Sequence, residues 1–274
     1  MRVRRLTEPA DAKTAYPCTT PFLFWSDALP LSRAWFAENL GHHVEGLHVE
    51  DDTGEVVGHL YWAPSERALT PFRIEERVAY IYCEWVARPR RGKGCMHLLF
   101  EAFGDGLRED GYKGALVLGT DIEDSMHASH FLARGFRTLR KAPGGTLLYL
   151  PVTQKRVRVE VLQPRIPPPE GSPVEILVIG SRLCPVAASV VLSVRKAARK
   201  LTGKVTVTEL PDGKEALARY GVADGVFVNG RPAFLGPATF DQVREAIERE
   251  IARVAVRLPT SRAQRRVDPP TGRR

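Results

Sequence analysis

The chain has 274 residues, 43% hydrophobic and 26% charged, with a formal net charge of +8. That length suits two modest domains with a core each, and no apolar run reaches the roughly 18 to 20 residues needed to span a bilayer. Six arginines against one aspartate between Arg257 and Arg274 carry most of the excess charge, which disfavours a nucleic-acid reader and favours a disordered, solubilising tail.

Arg2, Arg4 and Arg5 are followed by polar sequence instead of the apolar stretch of a signal peptide, so the expected compartment is the cytoplasm. The four cysteines, at 18, 83, 95 and 184, form no Cys-x-x-Cys pair and are expected as free thiols. Pro30 to Gly41 predicts a short amphipathic helix, with apolar residues at 31, 35, 36 and 40 and a glycine stop. His42 and His43 follow without acidic or thiol ligands at useful spacing, so no metal site is expected. Val44–Glu50 and Glu55–Trp62 flank Asp-Asp-Thr-Gly and predict a β-hairpin. Residues 64 to 77 read as a loop, and Val78–Val86 as the next strand.

Val86-Ala-Arg-Pro-Arg-Arg-Gly-Lys-Gly-Cys-Met96 then runs into an apolar-periodic stretch that reaches about Asp110. Two glycines can turn their N–H groups inward, and a helix that starts immediately afterwards adds the positive end of its dipole. Such a loop is a seat for a phosphate or pyrophosphate, although the same composition also suits a solvated turn. Further on the sequence predicts a strand at 115–118, a helix over about 125–134 that ends at Gly135-Phe136, and two strands near 136–140 and 146–151.

Arg91-Gly92-Lys93-Gly94-Cys95-Met96 resembles the Arg/Gln-x-x-Gly-x-Gly/Ala signature of the GNAT acetyltransferases, with Met96 where that family prefers a small residue. The order of elements over residues 25–152 and the Gly135-Phe136 end agree with it. The resemblance implies a mixed α/β sheet of the acyl-CoA N-acyltransferase type and an enzyme that moves an acetyl group from acetyl-CoA, as co-substrate, to a primary amine of a small molecule or protein. It implies that backbone N–H groups of 92–96 bind the pyrophosphate, with Arg91 and Lys93 adding charge. It also implies that Trp85 and Val86 align the pantetheine arm and that either Asp124 or Ser125 touches it. Phe131 holds or neighbours the family's tyrosine acid, which leaves His130 as a substitute acid or as an ordinary surface histidine.

Glu84 lies in an apolar strand, where a carboxylate needs a partner or a role, so it is either the general base or half of an ion pair with an arginine. Strict alternation would put Tyr80, Tyr82, Glu84 and Val86 on one face and Ala79, Ile81, Cys83 and Trp85 on the other. Cys83 and Cys95 are expected as packing residues, with incidental reactivity at Cys95 because it opens a helix.

Five prolines between Pro164 and Pro173 predict a stiff linker. The expected division is a first domain over 1–152, a linker over 153–172, a second domain over 173–256 and the basic tail over 257–274. Within the linker, Arg156–Leu162 is a strand candidate. Beyond it come a strand at 174–179, a helix opened by Cys184-Pro185, a strand at 205–210, a helix at 215–220, a hairpin around Asn229-Gly230 and a helix from Thr239 to about Val256. This order, with Cys-Pro at the first helix, resembles the thioredoxin and glutaredoxin domains. The resemblance implies a reactive thiol at Cys184, yet Ala187 stands where the family's second cysteine would be, so dithiol chemistry within this domain lacks a resolving thiol. A thiol or docking protein that binds CoA without acetyl transfer is the alternative function.

Overall fold

The computed structural model describes residues 1–19, 25–123, 125–166, 174–201, 205–211, 213–234 and 240–257. Nine strands and three α-helices belong to the first part of the chain: β1 Arg2–Arg5, α1 Leu29–Asn39, β2 Glu45–Glu50, β3 Val56–Pro64, β4 Phe72–Ile74, β5 Val78–Val86, α2 Cys95–Glu109, β6 Gly114–Gly119, α3 Ala128–Leu132, β7 Arg137–Ala142, β8 Gly145–Pro151 and β9 Val159–Val161. Seven strands form one sheet in the order β1-β2-β3-β5-β6-β8-β7. Within it β5 and β6 run parallel and every other neighbouring pair is antiparallel.

The apolar stripe of α2, Cys95, Leu99, Phe103 and Leu107, repeats every four residues and is buried against one face of the sheet. There it meets Leu47, Val49, Leu60, Trp62, Ile81 and Val117. The other face is covered by α1, through Trp35 and Phe36, which pack with Tyr16 and Tyr61. β1 was not foreseen, because four residues reading Arg-Val-Arg-Arg carry no alternation toward a core. Pairing with β2 and the ion pairs of Arg2 and Arg4 with Glu50 fix it.

The expected loop 64–77 contains β4, which pairs with β9 from the expected linker. The linker therefore begins on the first domain: Leu162 N–H also donates to Pro71 O, and Arg165 N–H donates to Tyr220 O of the second unit. The helix expected over 125–134 is reduced to Ala128–Leu132, capped by the His127 side chain, which accepts from Ser129 N–H. Met126, at φ 52°, breaks the helical path just before it.

In the second unit β10 Val174–Gly180, α4 Pro185–Lys200, β11 Val205–Pro211, α5 Lys214–Tyr220, β12 Gly225–Val228, β13 Arg231–Phe234 and α6 Phe240–Arg257 follow one another. The four strands form a sheet in the order β11-β10-β12-β13, with β10 parallel to β11 and antiparallel to β12. Val190 and Val194 of α4 and Val243 and Ile247 of α6 cover one face of this sheet, and Ala216 and Tyr220 of α5 pack on the other. Asn229 at φ 50° and Gly230 at φ 72° make the β12–β13 turn in the left-handed conformation that a tight hairpin demands. Leu183, Leu217 and Ala223 join the core around Trp35 and Tyr61, so the second unit is seated on the α1 face of the first. Among the described residues no helix is long and apolar enough to cross a membrane.

Candidate active site

β5 and β6 stay in register only from Val78 opposite Gly114 to Ile81 opposite Val117. β5 runs on to Val86 and β6 to Gly119, so the two strands part and leave a wedge at their C-terminal ends. In parallel α/β arrangements the carboxyl ends of the strands are where ligands settle. The glycine loop lies at the end of β5. Gly92 and Gly94 have φ of 74° and 83°, and a Cβ built on either meets nothing within 4 Å. What requires glycine here is the left-handed backbone, not a lack of room.

Gly94 is the N-cap of α2, whose first-turn N–H groups, from Cys95 onward, have no intrahelical acceptor. Arg91 and Lys93 are exposed around them, while the Cys95 side chain is buried and Met96 half-buried against the core. The loop is tied down by Arg90, which forms an ion pair with Asp51 in the β2–β3 turn. Asp51 also accepts hydrogen bonds from Thr53 and from Glu55 N–H, contacts that hold its carboxyl below its ordinary value. Neither Arg90 nor Asp51 carried a sequence signal for this role.

Two backbone groups of β5 are engaged at the wedge by groups of the chain itself. Glu84 N–H donates to Met126 Sδ at 3.1 Å, and Arg91 Nε donates to Val86 O at 3.4 Å. Trp85 points to the opposite face and stacks on His59 with centroids 6.0 Å apart, so only its backbone is directed along the strand.

The strict alternation expected for β5 fails at Tyr82. Tyr61 pairs with Cys83 but Trp62 pairs with Ile81, which makes Tyr82 the extra residue of a β-bulge. Tyr80, Tyr82 and Cys83 consequently pack away from α2, whereas Ala79, Ile81 and Val86 face it. Glu84, in register with Leu60, lies on the α2 side and not beside Tyr80 and Tyr82.

Its carboxyl side chain is 3% exposed. Oε1 stands 3.7 Å from His130 Nδ1, and Oε2 is buried without a hydrogen-bond partner. Burial raises its pKa to about 7, against the opposing charge of Arg134. A carboxyl with this pKa is half ionised near neutrality and suits proton abstraction there. Among the described residues Glu84 forms no ion pair with an arginine, and its ionic neighbour is His130.

His130 is exposed on α3. Phe131 is fully buried between Phe100 and Phe136, where it fixes α3 to the core and presents no surface to the wedge. Ser125 is exposed in the loop before α3, its carbonyl bonded by the Thr120 hydroxyl; Asp124 lies outside the described residues. Arg134, which the sequence did not single out, sits over the Phe100 ring at 5.1 Å and reaches the field of Glu84.

Cys184 caps α4 without a side-chain hydrogen bond, and burial pushes its thiol up to about 11. The lowered pKa that a helix start normally gives is thus overridden.

Comparison with known proteins gives one family match: residues 12–136 fit the model of the acetyltransferase (GNAT) family. No curated protein matches the sequence. Similar solved structures include a GNAT family N-acetyltransferase, YhbS, from Escherichia coli in complex with CoA, at 22% identity, TM-score 0.42, covering 55% of this chain and 80% of the other. A GNAT family acetyltransferase from Brucella melitensis in complex with acetyl-CoA aligns at 21% identity and TM-score 0.36, over 57% of this chain and 94% of its own. The ribosomal-protein-S18-alanine N-acetyltransferase of Escherichia coli aligns at 15% identity and TM-score 0.39, over 57% and 97%.

Proposed function

Proceeding from a GNAT acetyltransferase domain over residues 12–136, we propose that the chain transfers an acetyl group from acetyl-CoA directly to a primary amine in a ternary complex. The observation that carries this reading is the left-handed pair Gly92 and Gly94 at the start of α2, set at the end of β5 where β5 and β6 part. The pyrophosphate would rest on the loop and first-turn N–H groups, within reach of Arg91 and Lys93. The pantetheine would lie along Trp85 and Val86, taking the place of the Arg91 side chain at Val86 O. The acetyl carbonyl would accept from Glu84 N–H once Met126 has moved aside, which polarises the thioester.

Glu84 would take the proton from the attacking amine, directly or through a water. The nitrogen lone pair forms the new C–N bond, the C–S bond breaks, and the CoA thiolate takes up a proton, for which His130, 3.7 Å from Glu84, is the candidate donor. Holding the two substrates in register supplies several kcal/mol of order-of-magnitude advantage by itself. The acceptor is a small molecule or a protein, and the compartment is the cytoplasm.

The second unit reads as a thioredoxin-like module that serves as a docking or structural part. The strand order β11-β10-β12-β13, with α4 and α6 on one face and α5 on the other, supports that reading. Calorimetric titration of the full chain with acetyl-CoA tests the function. Saturable binding at sub-millimolar concentration, followed by CoA release with a member of an amine panel, is the expected result; no binding in that range overturns it.

A further inference from the structure

Met126 ties together the two strands that part at the wedge. Its backbone is held from the β6 side: Thr120 N–H donates to Met126 O at 2.9 Å, Ala128 N–H donates to Thr120 O at 2.9 Å, and Thr120 and His127 form an isolated bridge. Its sulfur is engaged from the β5 side, where it accepts from Glu84 N–H at 3.1 Å. The half-buried side chain therefore lies across the opening and packs against the core formed with α2.

Two features set this contact apart from ordinary packing. Met126 adopts φ 52°, a left-handed backbone in which a residue other than glycine is strained. Its thioether is a weak acceptor, so a strand N–H that a carbonyl oxygen would satisfy better is left with sulfur. Strain of this kind persists where the surrounding structure holds it, and it gathers at functional sites. The surroundings here are tight. Phe131 is fully buried, and a Cβ built on Gly119 at the end of β6 would meet Ala128 Cα at 2.9 Å and Leu148 Cδ1 at 3.0 Å. The part of the wedge that can move is the Met126 side chain, which is unbranched and flexible.

We propose that Met126 sets the length of the acyl chain that the site accepts. Its sulfur gives up Glu84 N–H to the thioester oxygen, while the rest of the side chain closes the space that a chain longer than acetyl would need. This inference rests on the acetyl-transfer reading. With the thioester oxygen on Glu84 N–H and the thioester sulfur toward Val86, the trigonal carbonyl carbon directs its acyl chain away from the glycine loop and toward Met126. A methyl group fits beside the displaced thioether, whereas each further methylene competes with it for the same volume. Truncation of Met126 to alanine removes the γ-carbon, the sulfur and the ε-methyl, which opens room for a butyryl tail. Volume and sulfur are separable, because leucine keeps most of the bulk and accepts no hydrogen bond.

The test is calorimetric titration of the full chain with acetyl-CoA, butyryl-CoA and CoA, without an acceptor amine. The unsubstituted chain is expected to bind acetyl-CoA at least about tenfold more tightly than butyryl-CoA, the lower end of what one misfitted methylene costs in a closed pocket. M126A is expected to remove most of that difference, and M126L to retain it. M126G, which takes φ 52° without strain, repeats the measurement should the alanine variant fold poorly. A residue that merely fills the core would shift stability and all three affinities together, not the ratio between the two thioesters. Equal affinities for acetyl-CoA and butyryl-CoA in the unsubstituted chain, or a preference for acetyl-CoA that survives in both M126A and M126G, overturns the proposal. Failure of all three compounds to bind removes the acetyl-transfer reading and the size gate with it, so the two failures are told apart.

Discussion

α2 and α4 both begin at a residue chosen for a special start, yet their N-termini meet opposite fates. Gly94 opens α2 into solvent, with a left-handed backbone and exposed cations around it. Cys184 opens α4 in an extended conformation, next to Leu183 of the core that the second unit shares with the first. The dipole favours an anion at both ends. At α2 the anion can be seated without desolvation. At α4 burial pushes the thiol up to about 11, so the proton stays on the sulfur. A helix start is therefore an anion site only where the surrounding fold leaves it accessible.

The sharpest test of the open site is Glu84→Gln. Loss of the base is expected to lower kcat for acetyl transfer by about 100- to 10,000-fold, with acetyl-CoA affinity nearly unchanged; steady-state kinetics combined with calorimetry separates the two.

The same carboxyl sets a pH dependence. Its folded pKa of about 7 lies above the ordinary 4.5, so the folded state binds the extra proton between those values. Its stabilising contribution is complete below about 4.5 and is lost as pH rises through about 7. Activity, which needs the ionised form, is expected to rise through the same upper limit. Above it, Glu84→Gln should be more stable than the unsubstituted chain by on the order of 3 kcal/mol, read as a higher denaturation midpoint. A flat activity profile between pH 6 and 8 would remove Glu84 from the role of base.

Next in size, Gly94→Val forces a β-branched residue to φ 83°, at a cost of about 1–2 kcal/mol. It should also weaken acetyl-CoA binding by about tenfold or more, on the order of 1.4 kcal/mol. Unaltered affinity in calorimetry would detach the glycine loop from the cofactor. The smallest effect belongs to the closed helix start. Cys184→Ser is expected to leave the kinetics of acetyl transfer unchanged; a large loss would mean that the second unit takes part in the acetyl-transfer chemistry.

Most of the first domain was legible because its elements are locally consistent. α2 shows an unbroken four-residue stripe, and the β2–β3 hairpin has alternation on both sides of a turn. β1, β4 and β9 were hidden or misplaced because three- and four-residue strands owe their existence to partners far along the chain. α3 came out shorter than its pattern because Met126 takes a left-handed conformation and its sulfur engages the wedge.

By itself the sequence determined the glycine loop, the helix it opens, and an acidic residue in an apolar strand. These depend on residue type and spacing, which set backbone freedom and local charge. Only the tertiary structure decided which way Glu84 faces, since one bulge at Tyr82 reverses the alternation that follows it. It also decided that the second unit is seated on the core around Trp35 and Tyr61. Leu183, Leu217 and Ala223 reach that core from segments that share no local pattern with α1 or β3, so only packing of the two units could reveal the contact.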